Sequence, residues 1–149
     1  MNPARSMISW LSATLLLLSS SVLAENSRDF GEYVVHYNSL ATDMLHPQIA
    51  RQYHITRSKH RGMINITVLK KVLGSPGQPV HADVTATASN LAGQERRIRM
   101  REIRDGTAIY YIGEFGVAHE ETLKFTVRAV PRAESSYLEV EFSQDFYTD

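Results

Sequence analysis

Leu123-Lys124-Phe125-Thr126-Val127-Arg128-Ala129 alternates apolar and polar residues without a break. Side chains along a strand point to opposite faces in turn, so this spacing predicts a half-buried β-strand. Working outward, the same period of two recurs in six other runs. These are Tyr33/Val35/Tyr37, Ile64/Ile66/Val68, Val80/Ala82/Val84/Ala86/Ala88, Ile98/Met100, Ile109/Tyr111/Phe115 and Leu138/Val140/Phe142. Turn residues separate most of them: Gly74 to Pro79, Asn90 to Gly93, Asp105-Gly106, and Pro131 to Ser136. Asp-Gly between two alternating runs is a strong hairpin signal, because Gly accepts positive φ. Strands with one buried face each need two sheets packed face to face. The predicted fold is all-β: an immunoglobulin-like antiparallel β-sandwich of about seven strands.

Between Leu40 and His60 the alternation stops. Thr42-Asp43 is a possible helix cap, and Pro47 suits a first helical position. Ile49, Ala50 and Tyr53 fall at helical spacing, so one short helical segment is expected near residues 46–53. No internal repeat and no low-complexity tract interrupts the rest.

The N-terminus reads differently. Met1 to Met7 carries one charge, Arg5; an apolar run from Ile8 to about Leu18 includes four consecutive leucines. Val22 and Ala24 place small side chains at the −3 and −1 positions of a cleavage site, and charge resumes at Glu25. The apolar run falls short of the roughly 20 residues that span a bilayer. Residues 1–24 are therefore expected to be a cleavable signal peptide and residues 25–149 the mature domain. The expected location is periplasmic, with no membrane span left after cleavage.

Charge and cysteine content narrow the function. The chain has 16 basic and 16 acidic residues and no Cys. A neutral chain lacks the basic face that nucleic-acid binding needs, so no nucleic-acid partner is expected. Without Cys, a lipoprotein acylation site, thiol chemistry, iron–sulfur clusters and zinc-finger sites are excluded. No G-x-S-x-G elbow, H-E-x-x-H helix or phosphate-cradling glycine loop is present. The sequence is expected to be non-enzymatic, with no catalytic residue and no cofactor.

Three constellations remain. Arg57, Ser58, Lys59 and Arg61, with His60 among them, form a basic loop suited to gripping a carboxylate or phosphate. They are the candidate partner-binding residues; a solvated loop is the plainer reading. Arg97, Arg99 and Arg101 are expected on one face of a strand, with Glu139, Glu141 and Asp145 as a matching acidic stripe on the last strand. Cross-strand ion pairing is the plain reading of that match, an anionic surface the sharper one. The six histidines, with Met44, raise a copper or zinc site, with His46, His54 and His60 as its candidate ligands. No two of them stand at i,i+2 or i,i+4, so the fold would have to assemble such a site.

Tyr33-Val34-Val35-His36-Tyr37-Asn38, Leu45-His46-Pro47-Gln48-Ile49-Ala50, Ile55-Thr56-Arg57-Ser58-Lys59 and the ending Phe142-Ser143-Gln144-Asp145-Phe146-Tyr147 carry a resemblance. The sequence resembles a family of exported gamma-proteobacterial proteins catalogued as a domain of unknown function. The resemblance spans the mature chain and implies a periplasmic protein with an immunoglobulin-like fold. It implies no reaction and no catalytic residue. One departure is His54, where the family pattern leads one to expect Gly before Ile55; a left-handed turn there would have to be borne by His. The expected function is a binding or adaptor domain whose partner is another envelope protein, with a periplasmic copper or zinc carrier as the alternative.

Overall fold

A computed structural model describes residues 26–149. The predicted leader, residues 1–24, lies outside the described residues. Two antiparallel sheets face each other across Val35, Ile64, Ile66 and Val68 from one side and Leu123, Phe125, Val127 and Val140 from the other, all fully buried. The alternation that predicted the strands is the alternation that fills this core.

Ten strands build the sheets: β1 (Asn26–Asp29), β2 (Tyr33–Ala41), β3 (Arg61–Lys70), β4 (Gln78–Pro79), β5 (Ala82–Asn90), β6 (Glu95–Ile98), β7 (Met100–Asp105), β8 (Ala108–Gly116), β9 (Glu121–Pro131) and β10 (Leu138–Phe146). The first sheet runs β1-β2-β3-β8-β7, with β4 against β3; the second runs β10-β9-β5-β6. The β-sandwich stands as expected, with more strands than expected. β1 and β4 are too short to show a period.

The remaining extra strand is a correction. The run Arg97 to Arg101 is not one strand but two, broken at Arg99. β6 pairs with β5 in the second sheet, whereas β7 pairs with β8 in the first. The chain crosses between sheets here, and it passes hard against Gly113. A Cβ on Gly113 would stand 2.4 Å from Ile98 Cγ2 and 2.6 Å from Met100 Sδ. Only a residue without a side chain admits so close a crossing. The Asp105-Gly106 hairpin forms as read: Asp105 pairs with Ala108 and Gly106 has φ +57.

The segment after β2 holds a 3-10 turn at Thr42–Met44 and a six-residue helix, α1 (Pro47–Gln52). Pro47 takes the first turn as expected. The cap is His46, whose Nδ1 accepts from Gln48 N at 3.3 Å, and not Thr42-Asp43. The segment covers the outer face of the first sheet. Ala50 and Ile55 bury there against Met63 and Ile112, with Leu40, Leu45, Tyr53 and Tyr110 around them. β3 and β8 are thus apolar on both faces, which is why this segment lies docked along its length. No helix among the described residues is long and apolar enough to cross a membrane.

Candidate functional site

A sandwich has two lateral seams, where an edge strand of one sheet faces an edge strand of the other. In this chain one seam lies between β2 and β10. β1 closes half of it. It pairs with β2 from Asn26↔Tyr37 to Asp29↔Val34, and Arg28 Nη1 donates to the carbonyl of Glu139 on β10 at 3.3 Å. Lys71 adds an ion pair to Asp29, and that pairing holds the Asp29 carboxyl below its ordinary range.

Among the described residues β1 begins at Asn26, opposite Tyr37. In an antiparallel ladder, alternate residues turn their N–H and C=O to alternate sides. Phe30 N donates to the Tyr33 carbonyl, whereas Lys71 N donates to that of Glu32. Tyr33, Val35 and Tyr37 therefore bond toward β1, and Ser39 and Ala41 aim the same groups at the open seam. β2 keeps an unbroken register with β3 through Ala41↔Gly62, so the parity holds to the end of the strand.

The open half of the seam is a groove of about 910 Å³, lined on one side by Ser39, Leu40 and Ala41 and on the other by Gln144 to Tyr147, with Met44 at its rim. Met44 is 75% exposed and Tyr147 65% exposed. Large apolar side chains left in water around one concavity are the informative exception on a soluble surface. Asp145 is the one charged residue lining the groove. Rings pack beneath: Tyr37 on Phe142, Phe142 on Phe125, Phe125 on Phe115 and Phe115 on Phe146, at 4.6–5.7 Å between centroids. Tyr147 is positioned by its neighbour: Thr148 is buried and its N–H donates to His119 Nδ1 at 3.2 Å.

The predicted basic loop joins the rim of this groove. Thr42, fully buried, donates from Oγ1 to the Thr56 carbonyl at 2.8 Å and accepts from Ser58 N at 2.9 Å. Arg57 Nη2 donates to the Asp43 carbonyl at 2.6 Å, one residue from Met44. The four predicted residues then divide. Arg57 and Lys59 are exposed and pair with no carboxylate among the described residues. Ser58 Oγ accepts from His60 N and shapes the loop, and Arg61 lies on β3 bound to Glu114 at 3.3 Å.

The two charged stripes are not matched as expected. Arg97 is on β6 and Arg101 on β7, in different sheets, with Arg99 at the break. The acidic residues of β10 meet β9: Glu139 with Arg128 at 2.6 Å, Glu141 with Lys124 at 3.2 Å, and Asp145 with Thr122. Cross-strand pairing is present, but its basic partners are those of the adjacent strand. Among the described residues no three His, Asp or Glu side chains gather as metal ligands. His54 has φ +55, the left-handed geometry that its place before Ile55 suggested.

The groove escaped the sequence reading. Its walls are strand ends, and the signal that marks it is where pairing stops, which no periodicity records.

A family model described as a domain of unknown function (DUF4426) matches residues 27–149. A search of the curated proteins finds no match. Among solved structures, a DUF4426 family protein from Pseudomonas aeruginosa aligns with a TM-score of 0.72 at 30% identity, over 84% of this chain and 96% of that one. FetP of uropathogenic Escherichia coli aligns with a TM-score of 0.59 at 10% identity, over 83% and 93% of the two chains. A copper-bound variant of FetP gives 0.58 at 12%, over 83% and 95%. At those identities the likeness to FetP is one of fold. The chain belongs to the DUF4426 family.

Proposed function

We propose that this protein is a non-enzymatic periplasmic binding domain that receives part of another envelope protein in the β2–β10 groove. The observation that carries this reading is the apolar groove itself, with Met44 and Tyr147 held exposed at its rim. Apolar area left in water around a concavity is the mark of a surface that a partner covers. The leader read in residues 1–24 supports export. Arg57, tied to the Asp43 carbonyl next to Met44, supplies charge for steering and register. The test is crosslinking in intact cells followed by recovery of the protein from the periplasm. A single envelope protein should be enriched over a mock purification; no enrichment would overturn the reading.

A second reading, a copper or zinc carrier, draws its support from the copper-bound state of a FetP variant with the same fold. The histidines and Met44 are the ligand types it would use. Near one equivalent of copper or zinc after purification without chelators would favour it over the first.

A further inference from the structure

We infer that two copies of this chain pair through β7, antiparallel about a two-fold axis at Ile103, so that the first sheet runs on from one copy into the next. This does not rest on the groove or on the function proposed for it. β7 ends the strand order β1-β2-β3-β8-β7 and, among the described residues, pairs with β8 alone. The described chain begins at β1, on the opposite edge of that sheet, about 19 Å away at the usual strand spacing. β7 is exposed over most of its length and keeps an unbroken register with β8.

Main-chain direction limits how a second copy can pair. Asp105 and Ala108 close a two-residue loop, so they exchange both of their main-chain bonds. Counting back from them, Ile103 and Arg101 also bond to β8, whereas Arg104 and Glu102 turn their N–H and C=O outward. Outward groups must meet outward groups, which places the two-fold axis on a residue and not between two. Charge then selects the residue. Arg101, Glu102, Arg104 or Asp105 would each face its own copy if the axis fell on it, and like charges directly opposite oppose pairing. Ile103 is the one uncharged residue within that run. With the axis there, Glu102 faces Arg104 of the second copy and Arg101 faces its Asp105, each twice by symmetry.

The side chains are already held for this. On the outer face Ile103 packs with Tyr53 and Tyr110; Tyr53 OH donates to Asp105 at 2.8 Å and Arg101 donates to the Tyr53 carbonyl. Tyr53 thus fixes the acid and the base on either side of Ile103. On the inner face Glu102 lies 2.8 Å from His81 Nδ1 and 3.1 Å from Arg104 Nε. Edge strands often carry charge to repel other chains. That protection needs a charge that opposes every register, and here the two-fold maps Arg-Glu-Ile-Arg-Asp onto its complement. The β2–β10 seam lies on the side away from β7, so pairing leaves both grooves open and lets two of them act together.

The test uses the protein recovered after export of the full chain. Analytical ultracentrifugation should show a dimer that dissociates on dilution through the micromolar range, since one strand from each copy is a small interface. High salt should weaken it on the order of tenfold. Arg101→Asp and Asp105→Arg should each be monomeric; mixing the two, or combining them in one chain, should restore the dimer. The chain has no Cys, so Ile103→Cys places a lone thiol at the axis. Residues facing each other there stand about 4.5 Å apart at Cα, within disulfide range. Ile103→Cys should link into a dimer on the order of tenfold faster than Leu91→Cys, on an exposed turn. Thermal unfolding checks each variant. If the charge variants do not fold, the linking rates decide, and equal rates overturn the proposal. A dimer unchanged in both folded single variants, or one that their mixture fails to restore, overturns it. So does a wild type that stays monomeric at several hundred micromolar, on the order of tenfold above the expected range. Slow amide exchange at Glu102 and Arg104 in that monomer would assign the edge to another segment of the chain.

Discussion

Arg28 Nη1 on β1 donates to the Glu139 carbonyl on β10 at 3.3 Å, and so one short strand spans both sheets at their seam. Among the described residues this strand begins at Asn26, opposite Tyr37. Protection of the β2 amides should change at that point. Val35 and Tyr37 bond into the β1 ladder, whereas Ser39 and Ala41 face the groove. Hydrogen exchange followed by NMR should show Ser39 and Ala41 exchanging on the order of tenfold or more faster than Val35. Equal protection along β2 would mean that the edge is covered.

Thr42 is the anchor of the basic loop. Its buried hydroxyl serves Thr56 and Ser58 at once, and valine keeps its shape but neither bond. Thr42→Val removes the shared partner of a part-buried N–H and a part-buried carbonyl, at a cost of about 1 kcal/mol. The midpoint of urea unfolding should fall accordingly. Recovery of the partner should fall as well, since the loop that carries Arg57 loses its tie to Thr42.

Gly113 lies beneath the crossing from β6 to β7. Gly113→Ala puts a methyl into the space of Ile98 and Met100, with the Arg99 carbonyl 3.2 Å away. The side chains can yield in part; the carbonyl less so. Overpacking of this kind costs about 1–3 kcal/mol. Denaturant unfolding should show that loss, with the slope against denaturant unchanged.

His54 bears a left-handed backbone at φ +55. A Cβ in that region is unfavourable, and glycine relieves it. His54→Gly should raise stability by about 0.5–1 kcal/mol, the flexibility of glycine in the unfolded chain offsetting part of the gain. Calorimetry should show the melting temperature rise by a few degrees.

These sites differ in how far the sequence announces them. The strands of the core were legible because Leu123, Phe125 and Val127 must all turn the same way to be buried, and that repeats every second residue. His54 was legible through its resemblance to a glycine position. The break at Arg99 was not: alternation continues across it, because Ile98 and Met100 both stay inward while the chain changes sheets. Nor was the partnership of the acidic residues on β10. Charge spacing fixes a face of a strand but not its neighbour, and the neighbour is β9. The basic loop was visible as charge, but its place beside a groove depends on Thr42, a residue with no distinguishing pattern.

The last expectation concerns alkaline pH. Tyr53 at the end of α1 donates to Asp105 Oδ2 at 2.8 Å, in the β7–β8 hairpin. That hydrogen bond, then burial, then the carboxylate's charge push the phenol up to about 12. An unfolded tyrosine ionises near pH 10. The folded-state value is the higher one, so the contribution to stability is fully present below about pH 10 and is lost as pH rises toward 12. Asp105→Asn removes the acceptor charge and should bring the Tyr53 titration down toward the ordinary range. Burial raises the phenols of Tyr33 and Tyr111 too, so the tyrosinate absorbance lost in Tyr53→Phe isolates the Tyr53 titration, which should come late in the wild type and earlier in Asp105→Asn. If Asp105→Asn leaves the late titration in place, the bond does not hold α1 to the hairpin. The cover over Met63 and Ile112 then rests on apolar packing and on Arg101, which donates to the Tyr53 carbonyl.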